Sequence, residues 1–103
     1  MPEKRVVVIA DEYTATAFRL IGVDARIVSS GDEARKLVEK LLEDEEVGVI
    51  LVSNEFADSV RDIVERVGSE RSDKVVALLP TLRHPGKPAD MRRLLLQALG
   101  FGG

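Results

Sequence analysis

Val6-Val7-Val8-Ile9-Ala10-Asp11, continuing through Glu12-Tyr13-Thr14-Ala15-Thr16-Ala17-Phe18-Arg19-Leu20-Ile21-Gly22, is the stretch on which the fold of this chain turns. An unbroken apolar run rich in β-branched residues suits a strand covered on both faces, because a strand wetted on one side would alternate. Asp11 ends the run, and either Asp11 or Thr14 can accept from the first free N–H groups of a helix. Thr14, Ala17, Phe18 and Ile21 recur at helical spacing, and Gly22 is placed to end that helix. Two threonines and Tyr13 lower its intrinsic propensity, so a short helix that depends on packing is expected. A buried strand feeding directly into a helix is the first half of a βαβ unit.

The same pattern repeats outward from there. Residues 25–28 form a short second strand, and Ser30 with Glu33 makes a capping-box pattern ahead of a second helix. Ala34, Leu37, Val38, Leu41 and Leu42 lie on one face of that helix, with Arg35, Lys36, Glu39, Lys40 and Glu43 opposite. Residues 47–52 read as a third buried strand. Ser53 or Asn54 is expected to cap a third helix, whose Phe56, Ala57, Val60, Ile63, Val64 and Val67 trace one stripe. Residues 75–79 are a fourth strand, stopped by Pro80. A loop rich in proline follows over 81–88, and a last helix over 88–99 begins at Pro88, which suits a first-turn position.

Strands alternating with helices imply an α/β fold: one domain with a four-stranded parallel sheet in the order 2-1-3-4, flanked by helices, flavodoxin- or receiver-like, with a C-terminal helix. Residues 1–80 make up the sheet domain; residues 81–103 are a loop and helix of the same domain, able to change position.

Composition narrows the function. The chain has 103 residues and a net charge of −3, which argues against a broad phosphate-binding face. One Tyr, three Phe and no Trp leave little for base stacking. The absence of cysteine excludes disulfides and thiolate metal sites and fits a reducing compartment. No apolar run approaches the ~20 residues that span a bilayer, and the N-terminus does not resemble a signal peptide, so a cytoplasmic location is expected.

In such a sheet, ligands collect at the carboxyl ends of the strands. Asp11, Glu12, Ser29, Ser30, Ser53, Asn54 and Thr81 stand there. Asp11-Glu12 resembles the acidic pair of a response-regulator receiver, and Gly86-Lys87-Pro88 resembles its Lys-Pro. The third strand, however, is followed by Ser53-Asn54 in place of the phospho-accepting carboxylate, and without that nucleophile the chemistry fails. Asp11, Ser53 and Asn54 are read instead as helix caps. No glycine-rich phosphate loop follows a strand, His84 has no second ligand of its kind, and Glu43-Asp44-Glu45-Glu46 reads as a solvated turn. No catalytic residue, cofactor or metal is expected. What remains is surface for a partner. Met91, Leu94, Leu95, Ala98 and Leu99 form a stripe on the last helix, while Leu96 and Phe101 fall outside it. The stripe fits packing on the sheet and the two additional residues fit a partner, so both roles stay open.

Thr16-Ala17-Phe18-Arg19-Leu20-Ile21-Gly22-Val23, directly after Ala10-Asp11, is similar to the Gly-Phe-Arg-Leu-x-Gly signature of the F subunit of archaeal and bacterial A/V-type ATP synthases. Residues 47–52 followed by Glu55, Leu78-Leu79-Pro80, and Met91-Arg92-Arg93-Leu94 with Leu99-Gly100-Phe101 resemble later segments of that family. The departures are Ala17 for the usual Gly, which suggests looser helix packing, and Leu78 for a common Glu. The resemblance implies a non-catalytic rotor component of the central stalk that binds the long coiled-coil D subunit and influences ATP hydrolysis coupled to ion transport. Phe18 and Arg19 of the signature, with Met91, Leu95, Leu96, Leu99 and Phe101 of the last helix and tail, are the expected partner-binding residues. The alternatives are a receiver-like signalling domain lacking its phospho-acceptor Asp and an unrelated α/β adaptor.

Overall fold

The computed structural model describes residues 4–71 and 73–80. Four strands, β1 (Arg5–Ala10), β2 (Asp24–Ile27), β3 (Val47–Ser53) and β4 (Val75–Leu79), form one parallel sheet in the order β2-β1-β3-β4. The helices between them are α1 (Glu12–Leu20), α2 (Gly31–Leu42) and α3 (Ala57–Glu70), the last entered through a 3₁₀ turn at Asn54–Phe56. This is the expected α/β architecture and strand order. The helix expected over 88–99 and the loop before it lie outside the described residues.

The unbroken apolar runs have the predicted consequence. Val7, Val8 and Ile9 are fully buried because helices cover both faces of β1, and Ile50 and Val52 because α2 and α3 cover their face of β3. One face is the larger core. Val7 and Ile9 from β1, Ile50 and Val52 from β3 and Val76 from β4 meet α2 and α3 there. The opposite face is smaller: Val8, Ala10 and Ala25 pack with Ala15 of α1, and Phe18, Val23, Leu51 and Leu79 flank them. The winding of the chain therefore reverses between β1, which feeds α1 on one face, and β3, which feeds α3 on the other.

Local signals explain where the elements begin and end. The Asp11 carboxylate accepts from Thr14 N at 3.2 Å and opens α1. Gly22 at φ +87° closes it, with Gly22 N bonded to Arg19 O and Val23 N to Phe18 O, both at 3.0 Å. That pair is the Schellman arrangement, which requires the left-handed backbone that glycine adopts freely. Ser30 caps α2 through Glu33 N, but the Glu33 carboxylate reaches Ser29 N at 2.8 Å, one residue before the usual partner. A Cβ on Gly31 would collide with Ser59, so glycine lets the start of α2 sit tightly on α3. Arg35 completes that contact, donating to Ser59 O and, bidentately, to Asp62.

Two expectations are corrected. Neither Ser53 nor Asn54 caps the third helix: the 3₁₀ turn intervenes, and Ser53 Oγ is buried without a partner. The inward face of α1 is also different, as described below. Lys74, which carries no signal in the sequence pattern, is only 5% exposed and donates from Nζ to Asp44 O and Val47 O, each at 2.6 Å. Burial, reinforced by the charges of Lys4 and Arg71, pulls its pKa below the ordinary lysine value. It staples the entry of β4 to the turn before β3.

Candidate partner-binding face

Helix α1 is a nine-residue helix lying over β1 and β2. The line it turns inward is Asp11, Ala15 and Phe18, spaced i, i+4 and i+7. Ala15 is fully buried against Val8, Ala10 and Ala25, a set of small side chains that brings helix and sheet close. Phe18 is half-buried and packs on this cluster. Arg19 Nε donates to Ala25 O at 2.8 Å, giving a carbonyl of the edge strand β2 a charged donor.

Ala17 and Ile21, expected on the inner face with Phe18, point outward: Ile21 is 73% exposed. Ala17 stands beside Tyr13 and Leu20, which are 75% and 82% exposed. Glu12, Tyr13, Thr16, Ala17 and Leu20 line a cleft of about 390 Å³ along this outer face. Tyr13, Ala17 and Leu20 are themselves spaced i, i+4 and i+7, a signal present in the sequence and masked by the signature residues beside it. The small Ala17 lies between two large side chains along the helix. Three exposed large apolar residues, Tyr13 and Leu20 of α1 and Ile21 at its C-cap, are more than the scattered hydrophobics of an ordinary surface.

The strand ends carry no assembled catalytic group among the described residues. Among the described residues Asp11 is a cap, Ser53 ends β3 where a receiver would place its carboxylate, and no group of three or more His, Asp or Glu side chains gathers at metal-ligating distance. No described helix is long and apolar enough to cross a membrane. Met91, Leu95, Leu96, Leu99 and Phe101, the other expected partner-binding residues, lie outside the described residues.

A match to the ATP synthase (F/14-kDa) subunit family runs over residues 6–95. The chain belongs to that family. Its relatives include the F subunit of the V-type ATP synthase of Thermus thermophilus, 32% identical over 98 residues, with 91% of this chain and 94% of the relative covered. The F subunit of the V-type ATP synthase of Fusobacterium nucleatum is 31% identical over 77 residues, covering 75% and 71%. The F subunit of the A-type ATP synthase of Methanococcoides burtonii is 27% identical over 93 residues, covering 90% and 91%. The resemblance read from residues 16–23 is thereby established as membership of the A/V-type ATP synthase F-subunit family.

Within this F-subunit fold, the signature residues divide by role. Phe18 and Arg19 hold α1 to the sheet, and Gly22 ends the helix. Leu20 and Ile21 are presented to solvent. Ala17 sits on the outer face, so its substitution for glycine does not loosen the packing of α1 on the sheet, contrary to expectation. Leu78 is half-buried against the larger core, where an apolar side chain suits the site.

Proposed function

We propose that this chain is the non-catalytic central-stalk F subunit of an A/V-type ATP synthase, binding the coiled-coil D subunit and modulating ATP hydrolysis coupled to ion transport. It works at the membrane periphery without inserting. Membership of the F-subunit family over residues 6–95 carries the reading. The outer face of α1 supports it: Tyr13, Leu20 and Ile21 offer an apolar stripe about two helical turns long around the small Ala17. A partner helix needs that geometry to pack closely. Phe18 and Arg19 contribute by fixing the face, and the segment 91–101 extends the contact through Met91, Leu95, Leu96, Leu99 and Phe101.

The test is complex formation between this chain and the coiled-coil stalk protein of the same complex, followed by gel filtration and titration calorimetry. A stable one-to-one complex that weakens at least tenfold, about 1.4 kcal/mol, on Leu20→Ser with Ile21→Ser is the expected result. No complex, or one indifferent to both the α1 face and the 91–101 segment, refutes the reading.

A further inference from the structure

We propose that the carboxyl ends of β1 and β3 form a site for one hard divalent cation of the Mg²⁺ type, with the carboxylates of Asp11 and Glu55 and the hydroxyl of Ser53 as its protein ligands. Three side-chain oxygens are buried without a hydrogen-bond partner among the described residues: Asp11 Oδ2, Ser53 Oγ and Glu55 Oε1. All three belong to the same end of the same two adjacent strands. Asp11 follows β1 directly; Ser53 ends β3, and Glu55 is in the 3₁₀ turn after it.

The register brings them together. Ile9 pairs with Val52, so the next step along each strand sets Ala10 beside Ser53 and brings Asp11 to the start of the 3₁₀ turn. Leu51 packs on the α1 side of the sheet, and side chains alternate along a strand, so Ser53 faces that side as well. Continuing that register, it stands beside Ala10, the residue before the Asp11 that opens α1. Because α1 and α3 leave on opposite faces, this is the topological switch point of the sheet, where open α/β folds hold their ligands.

Helix capping does not account for the oxygens. Asp11 uses Oδ1 on Thr14 N and leaves Oδ2 free, and Ser53 caps nothing. Asp11 is 8% exposed and Ser53 fully buried, so water does not satisfy them from bulk. The ion pairs of the described residues do not reach Asp11 or Glu55. A buried carboxylate oxygen with neither hydrogen bond nor counter-charge among the described residues is costly, and an oxygen-only set of two carboxylates and a hydroxyl asks for a hard cation. Mg²⁺ suits so few protein ligands, because it keeps several of its waters. The inference does not depend on the stalk reading, since the isolated chain suffices to test it.

Titration calorimetry and thermal unfolding of the full chain with MgCl₂ decide the matter, using Asp11→Asn and Glu55→Gln as variants. Asparagine preserves the cap of α1, so Asp11→Asn removes charge without removing the helix start. Saturable single-site binding is expected, with an unfolding midpoint that rises with Mg²⁺. Affinity should fall about tenfold or more in each variant while the far-ultraviolet spectrum stays unchanged. Absence of saturable binding up to about 10 mM overturns the proposal. So does undiminished binding in either variant, which would place the ion elsewhere, and so does a crystal grown with MgCl₂ that shows only an ordered water between the three oxygens.

Discussion

Val8 is fully buried between β2 and β3, paired with Ala25 on one side and Leu51 on the other. Its neighbours across the α1 contact are mostly small, so a missing side chain leaves space that nothing nearby fills. Val8→Ala is expected to cost about 1–3 kcal/mol, read as a lower denaturation midpoint at unchanged slope. An unchanged midpoint would mean β1 is an edge. Asp24 gives a different test. The hydrogen bond from Arg26 holds its carboxyl below the usual value of 3.8, burial opposes, and the charges of Arg26, Arg5 and Arg19 assist. A carboxyl depressed in the folded state stabilises above its unfolded pKa and loses that contribution as pH falls through the folded value. Wild type should therefore exceed Asp24→Asn by no more than about 1 kcal/mol near neutrality, the pair being partly exposed. Denaturation at a series of pH values should show the gap closing below 3.8. A gap that widens in acid would contradict the pairing.

At the scale of elements, legibility follows side-chain size. Strands β1, β3 and β4 are readable as apolar runs rich in large β-branched and aliphatic residues, and α2 and α3 because such residues recur at a period of 3.6; most of these are the residues that are buried. Helix α1 is legible as a helix but not in its rotation, because Ala15 carries little hydrophobic weight and yet is its one fully buried residue. Close approach to Ala10 and Ala25 needs a small side chain, and hydropathy does not register that need. The role of Ser53 is hidden because nothing in Ser-Asn-Glu distinguishes a direct helix start from a 3₁₀ entry. The proposed partner face is half legible: the signature draws attention to Phe18 and Arg19, whereas Tyr13 and Leu20 are the exposed apolar residues. A contrast between two substitutions follows. Leu20→Ser should change the stability of the isolated chain by less than about 0.5 kcal/mol while weakening the partner complex. Phe18→Ala should cost at least about 1 kcal/mol of stability, because its ring packs on the small core. Equal stability effects for the two would mean that α1 is rotated from the orientation described.

For the whole molecule, the sheet is covered unevenly. Helices α2 and α3 cover one face across β1, β3 and β4, whereas α1 reaches only β1 and β2 on the other. On the β3–β4 half of that second face Leu51, Ala77 and Leu79 are half-buried and Val75 is 53% exposed. The chain leaves β4 at Pro80 with residues 81–103 still to come, bearing the Met91, Leu94, Leu95 and Leu99 stripe. On the proposed function, the helix expected over 88–99 would need similar free energies on this sheet half and on a coiled coil, so that a partner binding one arrangement would shift the population. On the function proposed above, the sheet half and the stripe are the two apolar surfaces through which the chain would influence hydrolysis elsewhere in the complex. Leu95→Ser with Leu99→Ser should therefore alter the ATP hydrolysis rate of the assembled complex, while the isolated chain, wild type or variant, turns over no ATP. Deleting 91–103 should leave a folded sheet domain with the same defect. A truncated chain that fails to fold would make the segment plain core. A folded truncation that supports a normal hydrolysis rate would remove it from regulation and leave the α1 face as the whole of the interaction surface.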